Sequence, residues 1–180
     1  MKRLMMFALA IATGLAVAGC GDDDNGPNGP GNTGPIVFTV QLSAANEVPP
    51  ITNSESGGRG TATITFNVPR DSAGTPTGGG SAVFSVQLSG FPAGTMARAA
   101  HIHPGAAGVN GTVLVDTGLT AAAPVLLSDG TGNITLTSPD GQLTQERAAQ
   151  IVANPAGFYF NVHTPTNPGG AVRGQLVRQQ

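Results

Sequence analysis

Three residues of this 180-residue chain have the chemistry of metal ligands at a spacing that matters: His101, His103 and His163 are its only histidines. Two of them sit in the stretch RAAHIHPGAAG (98–108), and the third ends the stretch GFYFNVH (157–163). On a β-strand, residues i and i+2 project from one face with Cα atoms roughly 6.5 Å apart, so His101 and His103 can reach one ion. Neutral imidazole binds zinc at about 2.0–2.1 Å and also suits copper, iron and nickel. If the strand ending at His163 runs beside the one ending at His103, the three rings form a single set with an open position, favouring Cu(II) or Zn(II). The competing reading is that Ala100 and Ile102 face a core and both histidines merely decorate a solvent face. A separation of sixty residues neither supports nor forbids convergence.

Other polar residues are weaker candidates. Asp116 is a conceivable oxygen ligand, or an exposed acid at a strand end. Glu47, in NEVPP, either contacts a partner or caps a turn before the two prolines. Arg173, in VRGQ, either binds an anion or pairs with a neighbouring carboxylate. The tripeptide Asp116-Thr117-Gly118 occurs in aspartic proteases but has no second copy here. No nucleophile elbow, phosphate loop or dinucleotide fingerprint is present, so no catalytic residue is assigned.

The elements that must position these side chains are read from alternation. Apolar and polar residues alternate with period two in segments at 36–43, 60–68, 82–89, 97–103, 112–118, 132–138, 157–163 and 171–178, which predicts about eight half-buried strands. In the second, Ala62, Ile64, Phe66 and Val68 share one face while Thr61, Thr63, Thr65 and Asn67 share the other. Turn-rich clusters separate the strands, including RDSAGTPTGGGS (70–81), read as a hairpin loop. The pattern predicts an all-β Greek-key barrel or sandwich over one folded domain, 36–180. One segment has helical spacing: in LTQERAAQIVANP (143–155), Ala148, Ile151 and Val152 share a face, Thr144 is the expected N-cap, and Leu143 is expected to staple onto Ala148. It reads as a short crossover between the sixth and seventh strands.

The first 35 residues read differently. Lys2 and Arg3 precede an uncharged apolar run from Leu4 to Val17, then small residues, the three-part pattern of an export signal over 1–19. As a helix that run spans roughly 20 Å, short of a bilayer core of about 30 Å. Val17-Ala18-Gly19-Cys20 resembles the bacterial lipobox, which implies that Cys20 carries lipid and anchors the exported protein to a membrane, at the periplasmic face or cell surface. Residues 20–35 contain no large apolar side chain and many glycines and prolines, as a disordered tether does. Cys20 is the only cysteine, so stability must come from packing rather than an intramolecular disulfide. Beyond the signal, six arginines face ten acidic residues with no lysine. That balance, without a basic patch, excludes nucleic acid as an expected partner.

Four blocks together carry a family resemblance: LSAANEVPPITNSESGGRGTATITF (42–66), FSVQLSGFP (84–92), RAAHIHPGAAGVNGTVLV (98–115) and LTQERAAQIVANPAGFYFNVHTPTNPGGAVRGQL (143–176). They look like successive blocks of the CHRD domain, named after chordin and common in bacterial exported proteins, over Gln41 to Val177. The resemblance implies an immunoglobulin-like β-barrel with limited similarity to copper/zinc superoxide dismutase, whose strand-borne H-x-H supplies copper ligands as His101 and His103 would here. A dinuclear copper/zinc site needs more histidines than this chain owns and a disulfide that one cysteine cannot make, so dismutase activity is not expected. Two function classes follow: a membrane-anchored binding module holding one copper or zinc ion through His101, His103 and His163, or a metal-free adhesion or protein-interaction module.

Overall fold

The computed structural model describes residues 34–180, so the expected signal, Cys20 and nearly all of the tether lie outside the described residues. The strands are β1 (Ile36–Ser43), β2 (Arg59–Asn67), β3 (Ser81–Ser89), β4 (Thr95–Ala97), β5 (Ala99–Pro104), β6 (Val115–Asp116), β7 (Val125–Leu127), β8 (Gly132–Thr137), β9 (Phe158–His163), β10 (Val172–Gln175) and β11 (Val177–Arg178). The helix α1 spans Gln145–Ala153. One antiparallel sheet runs in the order β6-β5-β9-β10-β1-β2-β3-β8, with β11 also on β1, and β4 pairs with β7 in a separate ribbon.

Alternation explains which side of this sheet is the core. Ile36, Phe38, Val40 and Leu42 of β1, Ala62, Ile64 and Phe66 of β2, and Ala82, Phe84, Val86 and Leu88 of β3 are buried, while their neighbours in sequence face outward. The same inner face continues through Ala100 and Ile102 of β5 and Phe158, Phe160 and Val162 of β9. Phe84 stacks on Phe160 with ring centroids 5.5 Å apart, although three strands separate β3 from β9 in the sheet order. Only a sheet curled on itself lets those rings meet. The result is an all-β half-barrel closed around its own apolar face, the architecture expected from the sequence pattern.

The crossover helix lies between β8 and β9, as its position in the sequence predicted. Thr144 Oγ1 accepts the Arg147 N–H at the helix start, and Ala148, Ile151 and Leu143 join the core. Val152 of the expected apolar face is only partly buried.

Four boundaries differ from the periodicity reading, each for a pairing reason. The segment 97–103 is two strands, because the chain leaves β7 and joins β9 at Arg98, whose N–H donates to His163 O. The segment 171–178 is likewise broken at Leu176: β10 pairs with both β9 and β1, and β11 beyond it pairs with β1. The alternating segment 112–118 contributes only Val115–Asp116 to the ladder, and Val113 is exposed. Strand β7 carries no periodic signal, since AAAPVLL has no alternation. The 70–81 cluster does join β2 to β3 as a hairpin, and Asp71 Oδ1 orders it by accepting the Thr75 N–H.

Phe84 ties the two halves of the sheet together, so Phe84→Ala is expected to destabilise the protein by about 3–5 kcal/mol in denaturant unfolding. A loss below about 1 kcal/mol would mean that the halves do not close around this ring.

Candidate metal centre

Strands β5 and β9 are antiparallel neighbours, with Ala99 opposite His163, His101 opposite Asn161, and His103 opposite Tyr159. Directly opposed residues share a face, so this register puts His101, His103, Tyr159, Asn161 and His163 on one side of the sheet. Strand β10 extends the row by placing Arg173 opposite Asn161 and Gln175 opposite Tyr159. Strand β6 extends it the other way, with Asp116 opposite His101. The apolar partners Ala100, Ile102, Phe160 and Val162 point into the core. This outward face is polar, yet it does not face water: His103, Tyr159, Asn161, His163 and Arg173 are all buried. The competing reading, that His101 and His103 decorate a solvent face, is overturned for His103, which is buried, while His101 is partly exposed.

Loops roof the face. Arg173 is 1 % exposed; its Nε donates to Asn46 O and its Nη1 to Asn110 Oδ1, joining the segment before Glu47 to the loop after His103. Its guanidinium carbon lies 4.4 Å from the Tyr159 ring centroid. The expected pairing of Arg173 with a carboxylate gives way to these partners, because no carboxylate oxygen of the described residues lies within ion-pair distance of it. Glu55 fastens the segment after His163: its Oε2 accepts Thr164 Oγ1 at 2.7 Å and Asn167 Nδ2 at 2.6 Å.

The three imidazoles converge under this roof. One nitrogen from each of His101, His103 and His163 lies within 4.8 Å of the others. His101 Nδ1 and His163 Nε2 are 3.1 Å apart, near the roughly 3.3 Å between two nitrogens that share a tetrahedral ion at about 2.0–2.1 Å. The remaining nitrogens have their own acceptors. His163 Nδ1 donates to Pro168 O at 2.9 Å, and His103 Nδ1 to Gly111 O at 3.1 Å. His101 Nε2 points toward Asp116 Oδ2 at 3.9 Å. Because backbone carbonyls only accept, those contacts assign the tautomers of His103 and His163 and leave Nε2 of each as a lone pair. Burial holds all three rings below the ordinary histidine range, His163 at about 4, with a like-charge effect of the other two rings on His163 adding to it. They are neutral near pH 7, the protonation state of a metal ligand.

The other candidates are placed as follows. Asp116 sits beside the outer nitrogen of His101, and its Oδ1 accepts the Gly118 N–H, so Asp-Thr-Gly here is a turn. Glu47 does cap a turn, its N–H donating to Ala44 O after the 3-10 segment Ala44–Asn46. Its side chain is buried rather than offered to a partner, and Oε1 has no hydrogen-bond partner. Sequence reasoning missed Asn161 and Tyr159. The same period-two rule that links His101 to His103 would have found them, because Tyr159, Asn161 and His163 alternate with Phe160 and Val162. His103 stacks on Tyr159 at 4.9 Å with 7° between the planes.

Burial pushes the Glu47 carboxyl up to about 7 from 4.5, against the lowering effect of Arg173. A raised acid favours the folded state while protonated, so this contribution is complete below about pH 4.5 and is lost as pH rises through 7. Glu47 alone contributes a fall of the order of 3 kcal/mol across that window, set against the rise with pH that the three lowered histidines contribute below about 6.5, so Glu47→Gln is expected to remove the falling part and leave stability rising more steeply with pH. Denaturant midpoints measured between about pH 5 and 8 check it; equal slopes in both proteins would refute the assignment.

A family model described as the CHRD domain matches residues 38–176. That span holds all three histidines, Asn161 and Arg173, as well as most of β1 and all of β2 to β10. No curated protein and no solved structure matches the chain. CHRD domains occur in extracellular proteins. No helix among the described residues is long and apolar enough to cross a membrane. With the family model spanning the sheet and the roofed histidine face together, the chain belongs to the CHRD domain family.

Proposed function

We propose that the protein is an exported, membrane-anchored binding module that holds a single copper or zinc ion through His101, His103 and His163. The observation that carries this reading is the convergence of three neutral imidazoles, one nitrogen of each within 4.8 Å of the others, with their second nitrogens directed at Pro168 O, Gly111 O and Asp116. Outer partners of this kind fix ring orientation and tautomer in metal sites, so little ordering is left to be done when an ion arrives. Nitrogen donors of intermediate softness suit copper and zinc better than magnesium or calcium. Three histidines make one centre, so the reading is mononuclear and does not extend to dismutase chemistry.

Anchoring rests on Cys20 in its lipobox-like context, and export on the signal-like segment before it. In the second reading, a metal-free interaction module, the contact surface would be the β4–β7 ribbon, where the exposed Met96 and Leu126 are directly opposed.

The two part on thermal unfolding of the purified protein with Cu(II) or Zn(II). Free ion at 100 times its Kd is expected to add about 2.7 kcal/mol of stability. His103→Ala and His163→Ala should each abolish most of that shift. An unchanged melting temperature in the wild type, or a shift that survives both substitutions, defeats the three-histidine site and leaves the interaction module.

A further inference from the structure

We propose that Asn161 supplies, through its side-chain oxygen, the fourth ligand of the histidine centre, closing it as a set of three nitrogens and one oxygen. The inference rests on the metal reading above and adds to it a residue and a consequence. Asn161 is 1 % exposed and sits in the middle of the polar face, directly opposite His101 on β5 and two residues before His163 on β9. Its Oδ1 lies 3.0 Å from His103 Nε2.

That contact is unsatisfied as it stands. Both nitrogens of His103 face oxygens, Gly111 O on one side and Asn161 Oδ1 on the other. A neutral imidazole carries one hydrogen, and the backbone carbonyl takes it. Nε2 and Oδ1 then turn lone pairs toward each other with nothing between them, which is repulsive in a buried place. An imidazolium would cure the clash only by placing a second buried cation against Tyr159, whose ring the Arg173 guanidinium already covers.

Reversing the amide is the other cure, and Glu47 opposes it. Gly170, at φ +136°, lies so close that a Cβ built on it would fall 2.5 Å from Glu47 Oε1 and 2.8 Å from Asn161 Nδ2. The Glu47 oxygen and the Asn161 amide nitrogen therefore flank the same glycine, and Oε1 is a buried acceptor without a hydrogen-bond partner. A reversed amide would turn its oxygen to the side of Oε1, setting a second acceptor by a buried oxygen that already lacks a donor. The observed orientation sets Nδ2 on the Gly170 side, where Glu47 Oε1 also lies, and turns the oxygen toward His103. A cation between Nε2 and Oδ1 turns the repulsive contact into two bonds.

The donor set has a functional consequence. Catalytic zinc centres keep one position for water or substrate, whereas structural centres are filled by protein ligands. A centre closed by Asn161 holds its ion rather than presenting it to a substrate, in keeping with a binding module.

Co(II) as a spectroscopic probe and azide as a probe for an open position test this on the whole protein near pH 8. The wild type should show the intense visible bands of four-coordinate Co(II), unchanged by azide. Asn161→Ala should bind Co(II) at least about tenfold more weakly and respond to azide, whereas Asn161→Asp, which keeps an oxygen, should not respond. Azide-shifted bands in the wild type overturn the fourth ligand while leaving the three-histidine centre standing, and this reading needs no variant to fold. Absence of Co(II) bands in the wild type overturns both.

Discussion

The pairing of β5 with β9 is the constraint on which the rest of this molecule depends. Two strands separated by more than fifty residues lie antiparallel with Ala99 opposite His163. Because side chains alternate faces, a slip of one residue would carry His163 into the core and bring Phe160 or Val162 out among the imidazoles. The apolar residues hold the register: Ala100, Ile102, Phe160 and Val162 are buried against the rest of the barrel and cannot be exchanged with their neighbours without exposing them. The packing that stabilises the fold thus also gathers the three histidines. The site needs no separate scaffold.

A second constraint is desolvation. An outward sheet face made of His, Asn, Tyr and Arg would ordinarily be wet, yet here it is buried beneath irregular chain. That is tolerable only if its polar atoms find partners. Glu55 with Thr164 and Asn167, and Arg173 with Asn46 and Asn110, satisfy most of them and at the same time fasten the covering loops. The loops return the service, since Gly111 O and Pro168 O are the carbonyls that orient His103 and His163. Positioning and roofing are one network.

How far this was legible in the sequence follows from which interactions are periodic. Alternation in TATITFNV gives β2 and its buried face residue by residue, and the helix with its Thr144 cap is readable because both signals are local. The breaks at Arg98 and Leu176 are not, since a strand that changes partner keeps its period of two. The histidine set was readable as a conditional: H-x-H on one strand, and a third member if the other strand lay alongside. Burial of that set was not readable, because the loops that cover it, rich in glycine, asparagine and proline, carry no periodic signal. Arg173 shows the same limit. An arginine on an alternating strand suggests a surface ion pair, and only the fold reveals that its partners are backbone and amide oxygens from two distant loops.

The unmet polar atoms that remain are informative for the same reason. Among the described side chains, Glu47 Oε1 and Arg173 Nη2 are buried without hydrogen-bond partners, and both border the histidine face. In a core held together by apolar packing, such atoms cost free energy that substitution by apolar residues would recover. Arg173 and His103 both pack against the Tyr159 ring. A positive charge kept there disfavours protonation of the neighbouring ring and so keeps an imidazole lone pair available. Burial opposes the ionisation of Glu47, while the Arg173 charge favours it. The arrangement is costly as a fold element, and its cost falls where it holds neutral nitrogen and oxygen donors facing one another.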